Sequence, residues 1–266
     1  MGRPKIGAVS YLNTKPLVAG LKNQTDFEVV FDLPSRLADR LAARHFDVAL
    51  IPVVEAVSNP EYVIVSDACI ACRGPVWSVK LMSRVPAEKI KTLALDEGSR
   101  TSRALTRVFL DKKFGVTPNC HSLAIQEDWR KTSADAALII GDRAMKANDE
   151  NFPYVWDLGE AWNQWSGRPF VFAVWAAWAD SDLDRLDRVL SQSRDFGVNS
   201  VESISRAFHG EYALQEQECS QYLQEYLHFH LGVDEKAGMD RFFRHASELQ
   251  LIPQSYQLQF HDCQTA

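Results

Sequence analysis

The sequence predicts an α/β protein with two lobes, built on mostly parallel sheets that are flanked by helices, with a ligand cleft between the lobes. Short apolar runs alternate with amphipathic segments, which is typical of strands linked by helices. The alternation occurs twice, and two longer apolar runs lie near 76–83 and 170–178. We expect these long strands to pass between the lobes, so that one lobe contains 1–82 and 174–266 and the other 83–173. A single doubly wound domain is the alternative.

The first half of the chain contains three strand-and-helix pairs. Apolar runs predict the strands KIGAVS, FEVVFD and FDVALIP. Thr14 is placed as the N-cap of a helix that has Pro16 in its first turn, and Ser35 is placed as the N-cap of the next helix. A short helix is expected over VVEAVSN, and YVIVSDACIACRG is expected to be extended.

The pattern then restarts after a long strand in GPVWSVKLMSR. Strands are predicted in KTLALD, ADAALII and RPFVFAVWAAW. A helix follows KTLALD and ends near Gly115, and GDRAMKA opens another. After about residue 180 the spacing is helical in DSDLDRLDRVLSQSRDFGV, CSQYLQEYLHFHL and EKAGMDRFFRHASELQLI.

Composition narrows the class of partner. The 266 residues are 46% hydrophobic and 24% charged, with a net charge of −6, which is ordinary for a globular protein. No basic stripe with interleaved aromatic residues indicates nucleic acid, and no apolar run approaches the roughly 20 residues that span a bilayer. The N-terminal MGRPKIGAVSYLN does not resemble a secretory signal, so we expect a cytoplasmic protein that acts on a small molecule.

One pair of cysteines and one pair of histidines are candidates for a metal or redox site. Cys69 and Cys72 form a C-x-x-C in an extended segment without a second pair nearby, which favours buried strand cysteines. His228 and His230 lie two residues apart on a predicted helix and would not share a face. We expect neither metal nor cofactor, and the sequence contains no G-x-S-x-G, GxGxxG or H-E-x-x-H motif.

Four polar loops follow predicted strands and are the candidate ligand site. In open α/β sheets, ligands bind beyond the carboxyl ends of the strands, where helix N-termini favour anions. Capping, turn formation or surface exposure would account for each loop individually. The loops are Ser10, Tyr11, Leu12, Asn13 and Thr14; Pro52 and Val53; Asp96, Glu97, Gly98, Ser99, Arg100, Thr101 and Ser102; and Gly141 with Asp142.

Several blocks together resemble the chorismate dehydratase family of the futalosine route to menaquinone. They are VSYLNTKPL, FDVALIPVVE, GPVWSVKLMSR, LALDEGSRTSRALTRVFL, ADAALIIGDRAM and DLGEAWNQWSGRPFVFAVW. The resemblance implies the fold of type II periplasmic binding proteins. In a related family, which makes 1,4-dihydroxy-6-naphthoate, the first loop resembles SPCPNDTF. This chain has SYLNTKPL at that place, which favours the dehydratase family. The sequence departs from the pattern of the dehydratase family at Trp77, a position where a basic residue is expected more often.

The resemblance implies that water is removed from the dianion chorismate to give 3-[(1-carboxyvinyl)oxy]benzoate, with the substrate's enolpyruvyl carboxylate proposed as the base. Asn13, carried over from SYLN, would position the leaving hydroxyl or the substrate side chain as the catalytic residue. The other expected substrate contacts are Ser10, Tyr11, Pro52, Ser78, Ser99, Arg100, Thr101, Ser102, Gly141 and Asp142. We expect Asp142 to be held ionised by its helix N-terminus. A non-catalytic solute-binding protein is the rival interpretation.

Overall fold

The structure is a computed structural model that describes residues 3–21, 26–183 and 185–261. Its strands, numbered in chain order, are β1 (Lys5–Val9), β2 (Glu28–Asp32), β3 (Val48–Pro52), β4 (Tyr62–Cys72), β5 (Val79–Ser83), β6 (Thr92–Asp96), β7 (Asn119–Leu123), β8 (Ala136–Ile140), β9 (Tyr154–Asp157), β10 (Phe170–Trp178) and β11 (His228–His230).

The helices alternate with these strands through most of the chain. They are α1 (Lys15–Val18), α2 (Pro34–Ala42), α3 (Val53–Ala56), α4 (Arg100–Phe114), α5 (Asp142–Met145), α6 (Leu158–Ser166), α7 (Leu186–Val198), α8 (Val201–Phe208), α9 (Glu216–Gln221) and α10 (Val233–Glu248). A π-helical turn, Tyr222–Tyr226, follows α9.

The strands form two sheets, and the two-lobed α/β architecture is confirmed. The first sheet has the order β11-β4-β10-β3-β1-β2, and the second has the order β7-β6-β8-β5-β9. The expectation of mostly parallel sheets is wrong in detail, because both sheets are mixed. β10 runs antiparallel to β3 and β4, and β5 runs antiparallel to β8 and β9.

The connections between the sheets differ from the prediction. Neither long strand passes between the sheets, since β5 lies wholly in the second sheet and β10 wholly in the first, and only the residues before β5 belong to a crossing. The chain crosses in the segment 73–78 and returns through α6 and 167–169. The division into lobes at 82/83 and 173/174 stays a prediction, and sheet membership favours boundaries within these two connections.

The predicted strand in GPVWSVKLMSR is shortened by a turn. Trp77 has a left-handed backbone (φ 61°), and the Val76 and Trp77 amides donate to the Asp157 carboxylate at 2.9 and 2.6 Å. Because these amides face a side chain, they cannot join a sheet ladder. The strand therefore begins only at Val79.

Helix ends test the capping predictions. Ser99 caps α4 by accepting from the Ser102 amide at 3.2 Å, and the helix ends at Gly115 in the left-handed conformation, where its end was predicted. Ser35 is not a cap, since α2 begins at Pro34, whose fixed φ suits the first helical turn. Thr14 precedes α1 without a capping bond, and its hydroxyl instead donates to Asn13 Oδ1 at 3.3 Å.

The helical interpretation of HFH is wrong. His228 and His230 belong to β11, which pairs antiparallel with β4 and leaves Phe229 buried. The alternating burial explains the i, i+2 spacing. The short strands β7, β9 and β11 were not predicted, because their sequences lack a long apolar run.

The cysteine prediction is confirmed. Cys69 and Cys72 are fully buried free thiols in β4. Burial raises the pKa of both thiols, that of Cys72 to about 12. Such thiols are unreactive at neutral pH. Among the described residues, no helix is both long and apolar enough to cross a bilayer.

Candidate functional site

A cavity of about 50 Å³ lies between the two sheets at the ends of their strands. Its wall is largely apolar, with hydroxyl and amide groups at a few points. A small number of polar groups in an apolar cavity is typical of small-molecule sites. The lining residues are Val9, Tyr11, Asn13, Pro34, Pro52, Ile70, Val76, Ser78, Val79, Ser99, Ser102, Ile140, Gly141, Phe172 and Ala173.

The first loop contributes two of its polar residues to this cavity. Tyr11 and Asn13 line it, whereas Ser10 is exposed and does not. The Ser10 amide donates to Asp32 O, and its carbonyl accepts from the Tyr212 hydroxyl. Ser10 therefore anchors the loop through its backbone, and a substrate contact at Ser10 stays a prediction that this geometry does not support.

Tyr11 reaches across the cleft from the first sheet to the second. A Cβ added to Gly141 would lie 3.1 Å from the Tyr11 ring, and one added to Gly98 would lie 3.0 Å from its hydroxyl. A side chain at either position would therefore press on Tyr11. Burial, with Asp96 and Asp142 nearby, raises the pKa of Tyr11 well above its usual range. The phenol stays neutral and acts as a hydrogen-bond donor or acceptor.

Ser78 lies at the end of the turn that connects the sheets. Its side chain is buried and lines the cavity, and its carbonyl accepts from the Gly141 amide at 2.8 Å. The preceding Trp77 does not line the cavity, because its indole packs against Tyr222 and Tyr226 with ring centroids 5.9 Å away. The unexpected tryptophan at this position therefore lies outside the cavity wall.

The first turn of α4 is divided between the cavity and other contacts. Ser99 and Ser102 line the cavity. Thr101 is fully buried elsewhere, and its Oγ1 has no hydrogen-bond partner among the described residues. The first amides of a helix lack intrahelical partners, and the helix dipole adds partial positive charge there. This end of α4 can thus hold an anionic group.

Arg100 points away from the cavity. Its guanidinium pairs with Asp39 on α2 at 2.7 Å and with Glu55 on α3 at 3.2 Å. It therefore joins the second lobe to helices of the first. The prediction of a carboxylate contact at Arg100 is not supported by this geometry, because both of its partners are protein carboxylates.

Asp142 does not line the cavity, and its electrostatics differ from the prediction. Burial raises the pKa of this carboxyl to about 6, although the Leu12 amide donates to it and Lys15 lies nearby. The helix it begins has only four residues, so the dipole is weak. The helix N-terminus was expected to favour the ionised carboxylate, but the pKa is raised rather than lowered, because desolvation outweighs the favourable contacts.

The raised pKa of Asp142 predicts a pH-dependent stability. Relative to its ordinary value of 3.8, the folded state favours the protonated form, so stability at this site is lost as pH rises through about 6. Asp142→Asn should therefore raise the melting temperature at about pH 8 and give no gain below about pH 4. The exposed Asp182→Asn is the control in thermal unfolding, and an equal gain of Asp142→Asn at both pH values would contradict the account.

The contacts of two important residues were not predicted from the sequence. The buried Asp96 carboxylate accepts from the Gly98 and Ile140 amides and pairs with Arg143, which holds the loops after β6 and β8 together. Tyr222 donates to Ser78 Oγ at 2.8 Å from 144 positions away in sequence. No local pattern indicates a contact at that separation. Within residues 3–21, 26–183 and 185–261, no cluster of three His, Cys, Asp or Glu side chains could hold a metal.

Comparison with known proteins gives consistent matches over nearly the whole chain. Residues 4–248 match the family described as menaquinone biosynthesis. A chorismate dehydratase from Thermus thermophilus is 26% identical, covering 94% of this chain and 97% of that protein. A chorismate dehydratase from Campylobacter jejuni is 23% identical, covering 92% of this chain and 98% of that protein.

Solved structures match the fold. Protein AF1704 from Archaeoglobus fulgidus has a TM-score of 0.73 at 14% identity, covering 94% of this chain and 98% of that one. The Candida albicans CA3427 gene product is described as having the generic periplasmic binding protein fold. It has a TM-score of 0.59 at 12% identity, covering 98% of this chain and 99% of that one. The aliphatic sulphonate binding protein SsuA from Escherichia coli has a TM-score of 0.63 at 12% identity, covering 95% of this chain and 94% of that one.

These similarities agree with the two mixed sheets and the cavity between them. The chain has the fold of periplasmic binding proteins, and because the family match spans most of its length, it belongs to the menaquinone biosynthesis family.

Proposed function

We propose that this protein is a chorismate dehydratase, a lyase that removes water from chorismate to give 3-[(1-carboxyvinyl)oxy]benzoate. The observation that carries the proposal is the set of neutral polar groups, Asn13, Ser78, Ser99 and Ser102, that line one largely apolar cavity between the two sheets. The relatives named chorismate dehydratase, which match the chain nearly end to end, support the same substrate.

The two carboxylates of chorismate need local donors, because none of the described lining residues is a lysine or arginine. The Ser99 and Ser102 hydroxyls, with the first amides of α4, would bind one carboxylate. Hydrogen bonds to an ionised acceptor are stronger than neutral ones, and the helix dipole adds to them. Asn13 and Ser78 would contact the substrate from another part of the cavity wall.

The elimination needs a base and a stabilised leaving group. The C–H bond at ring carbon 3 breaks, and its proton passes to the enolpyruvyl carboxylate of the substrate. The electron pair forms the new ring double bond as the carbon–oxygen bond at carbon 4 breaks. The leaving hydroxide takes that proton and departs as water. Because the ring becomes aromatic, the protein mainly has to hold one conformer and stabilise developing charge.

Asp142 is the alternative base on the protein, and the geometry argues against it. Its carboxyl accepts from the Leu12 amide and lies outside the cavity lining. Asn13 is better placed, since its amide lies in the wall and can donate to the departing hydroxyl. We therefore assign Asn13 the catalytic role and Asp142 the role of connecting the two lobes.

The test is incubation of the purified protein with chorismate, followed by chromatography with mass and ultraviolet detection. The proposal predicts a product lighter by one water, with an aromatic spectrum, formed faster than without protein. Chorismate that is bound but returned unchanged would indicate a solute-binding protein. If chorismate neither binds nor reacts, the dehydratase proposal fails, and the 1,4-dihydroxy-6-naphthoate reaction is the next assay.

Arg100 should affect substrate affinity more than turnover. Its pairs with Asp39 and Glu55 join the lobes, and partly exposed pairs contribute at most about 1 kcal/mol. Arg100→Gln is therefore expected to raise KM for chorismate by up to about fivefold with little change in kcat. Arg103→Gln, on the next turn of α4, is the control. A loss of kcat beyond about tenfold would instead place Arg100 at the reacting groups.

A further inference from the structure

A buried tyrosine lies directly behind the polar wall of the cavity. Tyr222 begins the π-helical turn Tyr222–Tyr226, and its ring is almost completely buried. Its hydroxyl donates to Ser78 Oγ at 2.8 Å, and the Asn13 side chain lies close enough to the same hydroxyl to lower its pKa. Tyr222 itself does not line the cavity. It therefore connects two groups that do.

The direction of this hydrogen-bond chain follows from its ends. Asn13 Oδ1 accepts from Thr14 Oγ1 at 3.3 Å, so the amide NH₂ of Asn13 is the group available to the Tyr222 oxygen. The Tyr222 hydroxyl donates to Ser78, so the Ser78 hydrogen has to point elsewhere. Since Ser78 lines the cavity, its hydrogen is available to a molecule bound there.

The tyrosine is also held firmly in place. The Trp77 indole packs on its ring in an edge-to-face arrangement, with centroids 5.9 Å apart and planes at 68°. Burial raises the pKa of Tyr222 far above its usual range, so the phenol keeps its hydrogen at any working pH. π-Helical turns occur often at functional sites. Here the turn places a neutral, rigid donor behind Ser78.

We propose that Tyr222 is a positioning residue, which connects Asn13 to Ser78 and directs the Ser78 hydroxyl hydrogen toward the bound substrate. This inference rests on the proposed dehydratase function. Without the Tyr222 hydroxyl, the Ser78 hydroxyl can rotate and donate to protein groups instead, and the Asn13 amide loses one of its two anchors. The loss should lower kcat more than substrate affinity, because these donors act mainly on the charge that develops in the transition state.

The first test is Tyr222→Phe, which keeps the ring and removes only the hydroxyl. We expect kcat for chorismate to fall by about tenfold, with KM changed by less than about threefold. Tyr226→Phe is the matched control, since Tyr226 contacts Trp77 from the same turn. Its hydroxyl takes no part in the contacts between Asn13, Tyr222 and Ser78. Wild-type kcat in folded Tyr222→Phe would overturn the proposal.

A double-mutant cycle separates positioning from a general structural role. In a Ser78→Ala background, Tyr222→Phe should lower kcat by less than about threefold, because only the contact of Tyr222 with Asn13 is then left to lose. An undiminished tenfold loss in that background would overturn the proposal. Thermal unfolding checks each variant, and if Tyr222→Phe does not fold, additive kcat losses for Asn13→Ala and Ser78→Ala would overturn it. Absence of product with wild-type protein would instead remove the dehydratase function itself.

Discussion

Asn13→Ala is expected to lower the turnover of chorismate by at least about tenfold without unfolding the protein. The Asn13 amide lies in the cavity wall between the Thr14 and Tyr222 hydroxyls, so its orientation is set before a substrate arrives. A preoriented donor stabilises developing charge without reorganisation. The side chain is only half-buried, so its truncation leaves no large void in the core.

The measurement is kcat from initial rates, with thermal unfolding of the same samples. Asn119→Ala, on the exposed strand β7, is the control for removal of an asparagine elsewhere. A folded Asn13→Ala protein with wild-type turnover would remove Asn13 from the mechanism. A loss confined to KM would mean that the amide binds ground state and transition state equally.

Gly141→Ala is expected to disturb both stability and activity. Gly141 has φ 70° and ψ −156°, a conformation that is almost confined to glycine and costs roughly 1–3 kcal/mol for other residues. The added Cβ would also lie 3.1 Å from the Tyr11 ring. Because Tyr11 spans the cleft, relief of this contact would move it within the cavity. We expect kcat/KM for chorismate to fall by more than about tenfold.

Gly115→Ala is the control for alanine at a positive φ without a contact to the added Cβ. Gly115 has φ 67°, and nothing lies within 4 Å of a Cβ added there. This variant should lose stability in denaturant unfolding but keep wild-type kcat/KM. If Gly141→Ala lowers only stability, to the extent seen for Gly115→Ala, the contact between Tyr11 and Gly141 has no role in the site.

The elements with strong local signals were predicted correctly. Ser99 followed by a long periodic segment and Gly115 defined both ends of α4, because capping depends on a few neighbouring residues. The first loop was expected to form the mouth of a ligand site, and Tyr11 and Asn13 do line the cavity. Loops after parallel strands converge at one edge of the sheet, so their order along the chain was enough to place them together.

The features that were not predicted depend on contacts between distant segments. Arg100 looked like a substrate-binding residue because its partners, Asp39 and Glu55, lie in helices of the other lobe. The Asp142 pKa depends on how much of the chain covers the carboxyl, which the four residues of α5 do not indicate. The turn at Trp77 is held by Asp157 from another strand.

The central claim is that this cavity removes water across ring carbons 3 and 4 of chorismate. The most direct test uses chorismate deuterated at carbon 3, with the product mass read after complete conversion by the wild-type protein. The account predicts an aromatic product that contains no deuterium, with the label lost to solvent. A product that retains the deuterium, or chorismate recovered unchanged, would contradict it.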